Sequence, residues 1–329
     1  MFLSYSGWKL YDGCPRAYMY QYVTKPALPM PENKVNALFG TIVGKTFEIF
    51  FEKTLWKRPG HEEFMLTLGE KLLDRELNEL VAAARNTAEE IKADPEEWAR
   101  NAIRWKGNGE GQDPKANYVS REALLDDIKT AIPRGIEIVR QHGLTGAAAY
   151  AELKLDAQIG DHTYVGRADF VIAHENKERH ILDGKGSRWG DKFLDETQLV
   201  WYSMLWRERT KRLPDRVGFI LWRKEPDKAM SWVSLSAAEV DGLRAHLLEV
   251  VETIETGRVR LSLATTPEAK EALGNEWFPP HPGPTHCKLC KYLQICPTGK
   301  VWEESEKTTL PSTVSSVPAD GTGVEDVGL

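Results

Sequence analysis

The sequence predicts an α/β protein, on three observations. Helical periodicity dominates the chain from Phe39 to Gln141. The character changes at Ala149, after which three strand-like segments follow in close succession. A helix, two further strands and a capped helix then complete the pattern. The class follows from the switch between a period of 3.6 and alternating or short apolar runs.

Taken in order, residues 1–25 gather Tyr5, Trp8, Tyr11, Tyr18, Tyr20 and Tyr22 around Cys14, and Pro15 suits the first turn of a helix. A loop rich in Pro and Asn reaches Asn36. Phe39 to Leu55 reads as a helix with Phe47, Phe50 and Phe51 on its apolar side. His61 to Arg104 is helical, with Leu73, Leu77 and Leu80 at i, i+4 and i+7. Asp94-Pro95 there resembles an N-cap followed by proline at the first helical position. Lys106 to Asn117 is a polar loop. A helix from Ser120 to Gln141 contains Pro133, a candidate break or kink. Tyr150–Gln158, His162–Ala173 and Arg179–Asp183 are the three strands, and Gly160-Asp161 is a hairpin signal between the first two. Asp195 to Thr210 returns to helix, and Val217–Arg223 and Ala229–Leu235 read as strands. Ser236 with Glu239 forms a capping-box signature that opens a helix to about Thr256. Trp277 to Cys296 is rich in Pro and holds three cysteines. Beyond Glu303 the apolar content is too low to bury, which predicts a disordered tail.

With 329 residues the chain can bury a sizeable core as one large domain or two small ones. The net charge of −6 and pI of about 5.9 argue against coating nucleic acid through bulk charge. A local basic groove is not excluded by that balance. Met1 to Tyr20 lacks an apolar signal core, and no apolar run approaches ~18 residues. A cytoplasmic protein with no membrane association is the expectation. Four cysteines in such a chain read as metal ligands rather than disulfides.

The chemistry concentrates between Gly166 and Tyr202. Gly166-Arg167-Ala168-Asp169 lies in one strand, and Asp183-Gly184-Lys185 ends the next. Hydrolysis of a phosphodiester needs a divalent ion, an activated water and positive charge near the developing oxyanions. Asp169 and Asp183 supply carboxylates for Mg²⁺ or Mn²⁺, and the carbonyl of Gly184 offers a third oxygen. Lys185, two residues after Asp183, shares its strand face and can serve the water. Against this stands the plain reading of two strand-end acids and a surface lysine. Gln198 and Tyr202 are one helical turn apart. They either contact a nucleic-acid backbone or brace the metal site, while Gln198 also fits a capping box opened by Asp195, and Tyr202 fits the core. Glu48 and Glu52 are i, i+4 on a helix; Glu52 reads as polar surface. Glu152 is either a metal-side acid or a solvent-facing one.

Cys287, Cys290 and Cys296 show C-x2-C-x5-C spacing, and Cys14 lies far off in sequence. Together they make a complete four-thiolate set that would clasp the two ends of the chain. A [4Fe–4S] cluster or zinc would suit it. Pro297 after the last cysteine favours the cluster, and His281 and His286 stand close enough to substitute in a zinc site.

In this order the motifs resemble the PD-(D/E)XK nuclease superfamily, and within it the RecB-like exonucleases with an iron–sulfur clasp. That group includes the AddB nuclease domain, the small exonucleases found beside CRISPR arrays, and phage proteins. Ser4-Tyr5-Ser6 ahead of Cys14-Pro15-Arg16 resembles the family's opening, and Gly40-Thr41 with Glu48 its first helical motif. Gly166-Arg167-Ala168-Asp169, Asp183-Gly184-Lys185 and Gln198-Leu199-Val200-Trp201-Tyr202 match the G-R-x-D, D-x-K and Q-x-x-x-Y motifs. The family's metal-ligating His falls at Gly44, so that ligand is missing.

The resemblance implies a mixed central sheet flanked by helices. It divides the chain into 1–55 (clasp segment and first core helices), 56–148 (helical insertion), 149–260 (nuclease core), 261–302 (cysteine region) and 303–329 (tail). It implies a Mg²⁺- or Mn²⁺-dependent deoxyribonuclease, an exonuclease on single-stranded DNA or ends in recombination, repair or phage DNA metabolism. Asp169, Asp183, Gly184 and Glu48 would hold the metal, Lys185 would serve the water, and Gln198 and Tyr202 would position the strand. Glu152 and Arg167 are further candidates. A helicase, recombinase or CRISPR-adaptation partner fits such an enzyme, in a bacterium or phage-infected cell. With Gly44 weakening the metal site, the alternative is a non-catalytic DNA-end-binding subunit or a trimming factor.

Overall fold

The computed structural model describes residues 1–26, 28, 30–146, 148–187, 194–288 and 290–309, with backbone alone at Thr285 and 306–309. In chain order, β1 (Phe2–Ser4) leads into α1 (Tyr5–Gly13) and α2 (Pro15–Tyr18), which passes into a π-helical turn over Met19–Thr24. The helices α3 (Val35–Glu52), α4 (His61–Ile91), α5 (Pro95–Asn101) and α6 (Arg121–Gln141) follow. Three strands come next: β2 (Ala148–Ile159), β3 (His162–Ala173) and β4 (Arg179–Lys185). Then come α7 (Glu196–Thr210), β5 (Arg216–Leu221), β6 (Met230–Val233) and α8 (Ala237–Leu263). The chain ends in α9 (Pro267–Trp277), α10 (Pro284–Cys287) and α11 (Pro297–Thr309).

The strands form one mixed six-stranded sheet, ordered β1-β3-β4-β5-β6 with β2 also paired to β3. Helices cover both faces. On one face α3, α4 and α6 pack Phe47, Leu73 and Ile132 against Phe170, Ile172, Leu182, Ile220 and Trp222. On the other, α7 and α8 pack Leu199, Leu205 and Leu247 against Leu155, Tyr164, Ile181 and Phe219. The region expected as an insertion therefore contributes to the sheet's own core, and only Ala84, Ala88, Trp98 and Ala102 form a separate small cluster. Among the described residues no helix is long and apolar enough to cross a membrane.

The pairing leaves a fork in the sheet. β1 runs parallel to β3 over Thr163–Val165, and β4 runs antiparallel to it over Phe170–Ala173. Gly166 to Asp169 lie between, bordered by β2 on one side and by neither strand on the other. Beyond Leu182, β4 keeps its parallel pairing with β5 and leaves β3. The β2–β3 hairpin also changes face here. Tyr164, Ala168, Leu155 and Ala157 belong to the α7/α8 core, whereas Phe170, Ile172, Ala149 and Ala151 pack toward the α3/α6 core. The change falls at Glu152 and Asp169, and Glu152 takes φ 49°, a left-handed conformation uncommon for a residue with a side chain.

Several elements depart from expectation. β1 and α9 were not foreseen; three residues are too few to show alternation. α6 runs unbroken through Pro133, held by buried Ile128, Ile132, Ile136 and Val139 on both sides of it. α8 continues to Leu263. Order does not end at Glu303: α11 starts with Pro297 and continues to Thr309. Residues 310–329, the rest of the expected disordered tail, lie outside the described residues.

Candidate active site

The fork assembles the acid–acid–lysine set. Asp169 leaves β3 where the hairpin changes face, and Asp183 leaves β4 just past its last pairing with β3. Asp169 Oδ2 accepts the Gly184 N–H at 2.9 Å, so Gly184 reaches the site through its amide hydrogen. A Cβ at Gly184 would lie 2.6 Å from Trp222 Nε1, which reserves this position for glycine. Lys185 Nζ stands 2.6 Å from Asp183 Oδ2.

Gln198 decides its own role. Asp195 caps α7 by accepting the Thr197 N–H at 3.2 Å. The Gln198 side chain is turned instead into the fork. Its Oε1 accepts from Lys185 Nζ at 2.7 Å, and its Nε2 donates to Asp183 Oδ1 at 2.7 Å and to the Tyr202 hydroxyl oxygen at 2.9 Å. One amide thus fixes the relative position of the acid, the lysine and the tyrosine. Burial raises the Tyr202 hydroxyl pKa, and the Asp183 carboxylate adds to the rise, so the phenol keeps its proton.

The electrostatics are unfavourable as they stand. Asp183 is 2% exposed. Burial first, and then the Asp183 charge, push the Asp169 carboxyl above the ordinary range. Burial raises Asp183 too, against the pull of Lys185. Asp183 Oδ2 is met by the Lys185 ammonium and by no further donor among the described residues. Two buried carboxylates that share one adjacent ammonium fit a divalent cation by donor chemistry.

Across the fork a cleft of about 390 Å³ is lined by Gly40, Thr41, Gly44, Glu48, Glu152 and Asp169, among others. Burial and the neighbouring Glu152 and Glu52 raise Glu48. Glu152 is turned to Arg167, whose Nη1 donates to it at 3.0 Å. Nothing lies within 4 Å of where a Gly44 side chain would start, so the position is open to the cleft. Among the described residues no three His, Cys, Asp or Glu side chains stand close enough together to hold a metal ion, here or elsewhere.

That statement covers the cysteines. Cys14, Cys287, Cys290 and Cys296 line one cavity of about 440 Å³, with His281 and His286 on its wall. Cys14 Sγ accepts the His281 N–H at 3.5 Å and Cys287 Sγ the Gly283 N–H at 3.4 Å. Burial raises the Cys290 thiol, and the other three sulfurs raise it further. The donor set suits a thiolate-bound group, but the sulfurs do not close on a point.

Two features escaped sequence reasoning. Arg223 stacks over Phe39, donates to the Gly186 carbonyl at 2.7 Å and to the Tyr118 hydroxyl at 2.6 Å, and pairs with Asp127. It ties the end of β4 to α3 and α6, and a strand-end arginine carries no local signal of that. Lys154 lies opposite Arg167 in the hairpin register, which alternation alone could have placed.

No curated protein matches the chain. Solved structures with likeness include the crystal structure of SSO0001, 19% identical over 54% of this chain and 77% of that one, with a TM-score of 0.26. Another is protein VC1899 from Vibrio cholerae, 10% identical over 66% and 57%, with a TM-score of 0.22. Both likenesses are low. A sequence model of one family, in contrast, matches residues 2–297, from β1 through every motif around the fork to Pro297. The chain belongs to the PD-(D/E)XK nuclease superfamily.

Proposed function

We propose that the chain is a metal-dependent deoxyribonuclease of the RecB-like type that shortens single-stranded DNA or DNA ends. The observation that carries this is the pair of buried, pKa-raised carboxylates, Asp169 and Asp183, locked to Lys185 by Gln198. Asp169 and Asp183, with Glu48 across the cleft, would hold Mg²⁺ or Mn²⁺. When bound, that ion supplies charge against the phosphoryl oxygens and lowers the pKa of water. Lys185 orients the attacking water and offsets developing negative charge. Gln198 keeps the ammonium beside Asp183, and the protonated Tyr202 donates toward the strand. The four cysteines would hold a [4Fe–4S] cluster, or zinc, as a clasp between α1 and the C-terminal segment. A helicase, recombinase or CRISPR-adaptation partner would deliver the DNA end.

A second reading, a DNA-end-binding subunit without cleavage, is favoured by Gly44 and by the lack of a third ligand at holding distance among the described residues. End-labelled single-stranded DNA, incubated with anaerobically purified protein and Mg²⁺ or Mn²⁺, separates the two. Progressive shortening that disappears in Asp183→Ala supports the nuclease. Bound but intact DNA in both metals supports the binding subunit.

A further inference from the structure

A second groove, of about 590 Å³, opens on the α7 side of the fork. Ser4, Ser6, Lys154 and Arg167 line it, with Gln198 and Tyr202 on the wall shared with the carboxylates. We infer that this groove is a single-strand subsite, which grips the phosphodiester backbone of the nucleotides next to the one at Asp169 and Asp183. The inference rests on the nuclease reading for the identity of the strand, and on the groove's own chemistry for the rest.

The first support is continuity. Arg167 lines both this groove and the acid cleft, so a chain leaving the carboxylates passes its guanidinium. The second is charge. Lys154 and Arg167 are register partners on β2 and β3, and like charges directly opposite each other cost stability. Lys154 Nζ has no hydrogen-bond or ion-pair partner among the described residues. The Arg167 guanidinium spends one N–H on Glu152, and its others have no partner among those residues. Asp156 is the one acid in the described lining. The unpartnered Lys154 ammonium and the N–H groups that Arg167 does not spend on Glu152 suit the negative charges of adjacent phosphates. The third is the hydroxyl pair: Ser4 Oγ and Ser6 Oγ lie 3.2 Å apart at the groove's other edge, where hydroxyl donors can meet phosphate oxygens.

Burial of the carboxylate argues for one strand over two. Asp183 is 2% exposed at the base of the fork. A flexible single strand bends to bring one phosphate to so covered a carboxylate more readily than a stiff duplex does. Tyr5, half-buried, and Tyr202, buried, supply the only aromatic rings in the described lining, so the groove grips backbone and reads little sequence.

The test is fluorescence anisotropy of a fluorescein-labelled oligo-thymidylate with the full chain in EDTA, across a range of KCl concentrations. For a single strand, each phosphate that a variant no longer neutralises flattens the log Kd against log salt slope by about 0.7. Lys154→Ala and Arg167→Ala should each do so, and the double variant about twice as much. Lys71→Ala, an exposed change on α4, should leave the slope alone. Thermal melts check that the variants fold. An unchanged slope in the folded double variant overturns the subsite, as does a blunt duplex that binds as tightly as the single strand. The two readings fail separately. Cleavage by the wild type with unchanged slopes sinks the subsite and keeps the nuclease. Flattened slopes in a protein that never cleaves keep the subsite and sink the catalytic reading.

Discussion

Arg16 and Asp183 are both charged, and both are 2% exposed, yet they are treated in opposite ways. Arg16 is provided for: Nε donates to the Phe278 carbonyl at 3.0 Å, Nη1 to Glu271 at 3.1 Å and Nη2 to Asn275 at 2.5 Å. It binds α2 to α9 and needs nothing from outside. Asp183 has a raised carboxyl and a buried neighbour of the same charge, and the single ammonium of Lys185 stands against both acids. A buried charge satisfied by its own fold is structural. A buried charge left short marks where something else is meant to bind.

The comparison can be broken at Arg16 first, where the largest stability effect is expected. Arg16→Met strands the Phe278 carbonyl and removes a charge-assisted network, and should cost about 2–3 kcal/mol. A urea midpoint that does not move would show that the network is decorative. At Asp183 the sign reverses. Asp183→Asn should stabilise the metal-free protein at neutral pH by on the order of 1 kcal/mol, a rise in Tm of about 1–2 °C. The pH dependence follows from the direction of the shift. A carboxyl raised by folding favours the folded state while it is protonated. That stability is lost as pH climbs from the ordinary carboxylate value through the raised one. The advantage of Asp183→Asn should therefore vanish in acid and grow toward neutrality, and Mn²⁺ should raise the Tm of the wild type but not of the variant. Melting curves with and without EDTA read all of this. The smallest effect is at Gly44, inside α3 with open space beside it. Gly44→Ala should stabilise by about 0.5–1 kcal/mol through helix propensity alone. A destabilised variant instead would mean that the cleft needs the room.

Much of this was legible in the residues. The strands around Gly166–Lys185 read correctly because β3 and β4 carry long buried runs, and Ser236 announced α8 through its capping box. Asp169, Asp183 and Lys185 were singled out from spacing, and the fold brings them together with Gln198. Gln198 itself was ambiguous, because a capping glutamine and a site glutamine look alike until the side chain is placed. The fork was not legible at all. It depends on β1, three residues whose partner lies some hundred and sixty positions away by register. The left-handed Glu152 was equally hidden, since glutamate gives no hint of positive φ. Long-range pairing and local strain are tertiary facts, and periodicity reports neither.

The hairpin that changes face at Glu152 and Asp169 has a consequence for how the molecule comes apart. Its two halves belong to different hydrophobic cores, so neither core can melt without pulling on the same few residues. The paired carboxylates sit on the seam of a single cooperative unit. Loop-closure entropy makes the β1–β3 pairing slow to form, because its partners are so distant in the chain. A site arranged this way is complete only when both cores are, and it is lost together with them. A half-finished copy therefore lacks the assembled carboxylate pair.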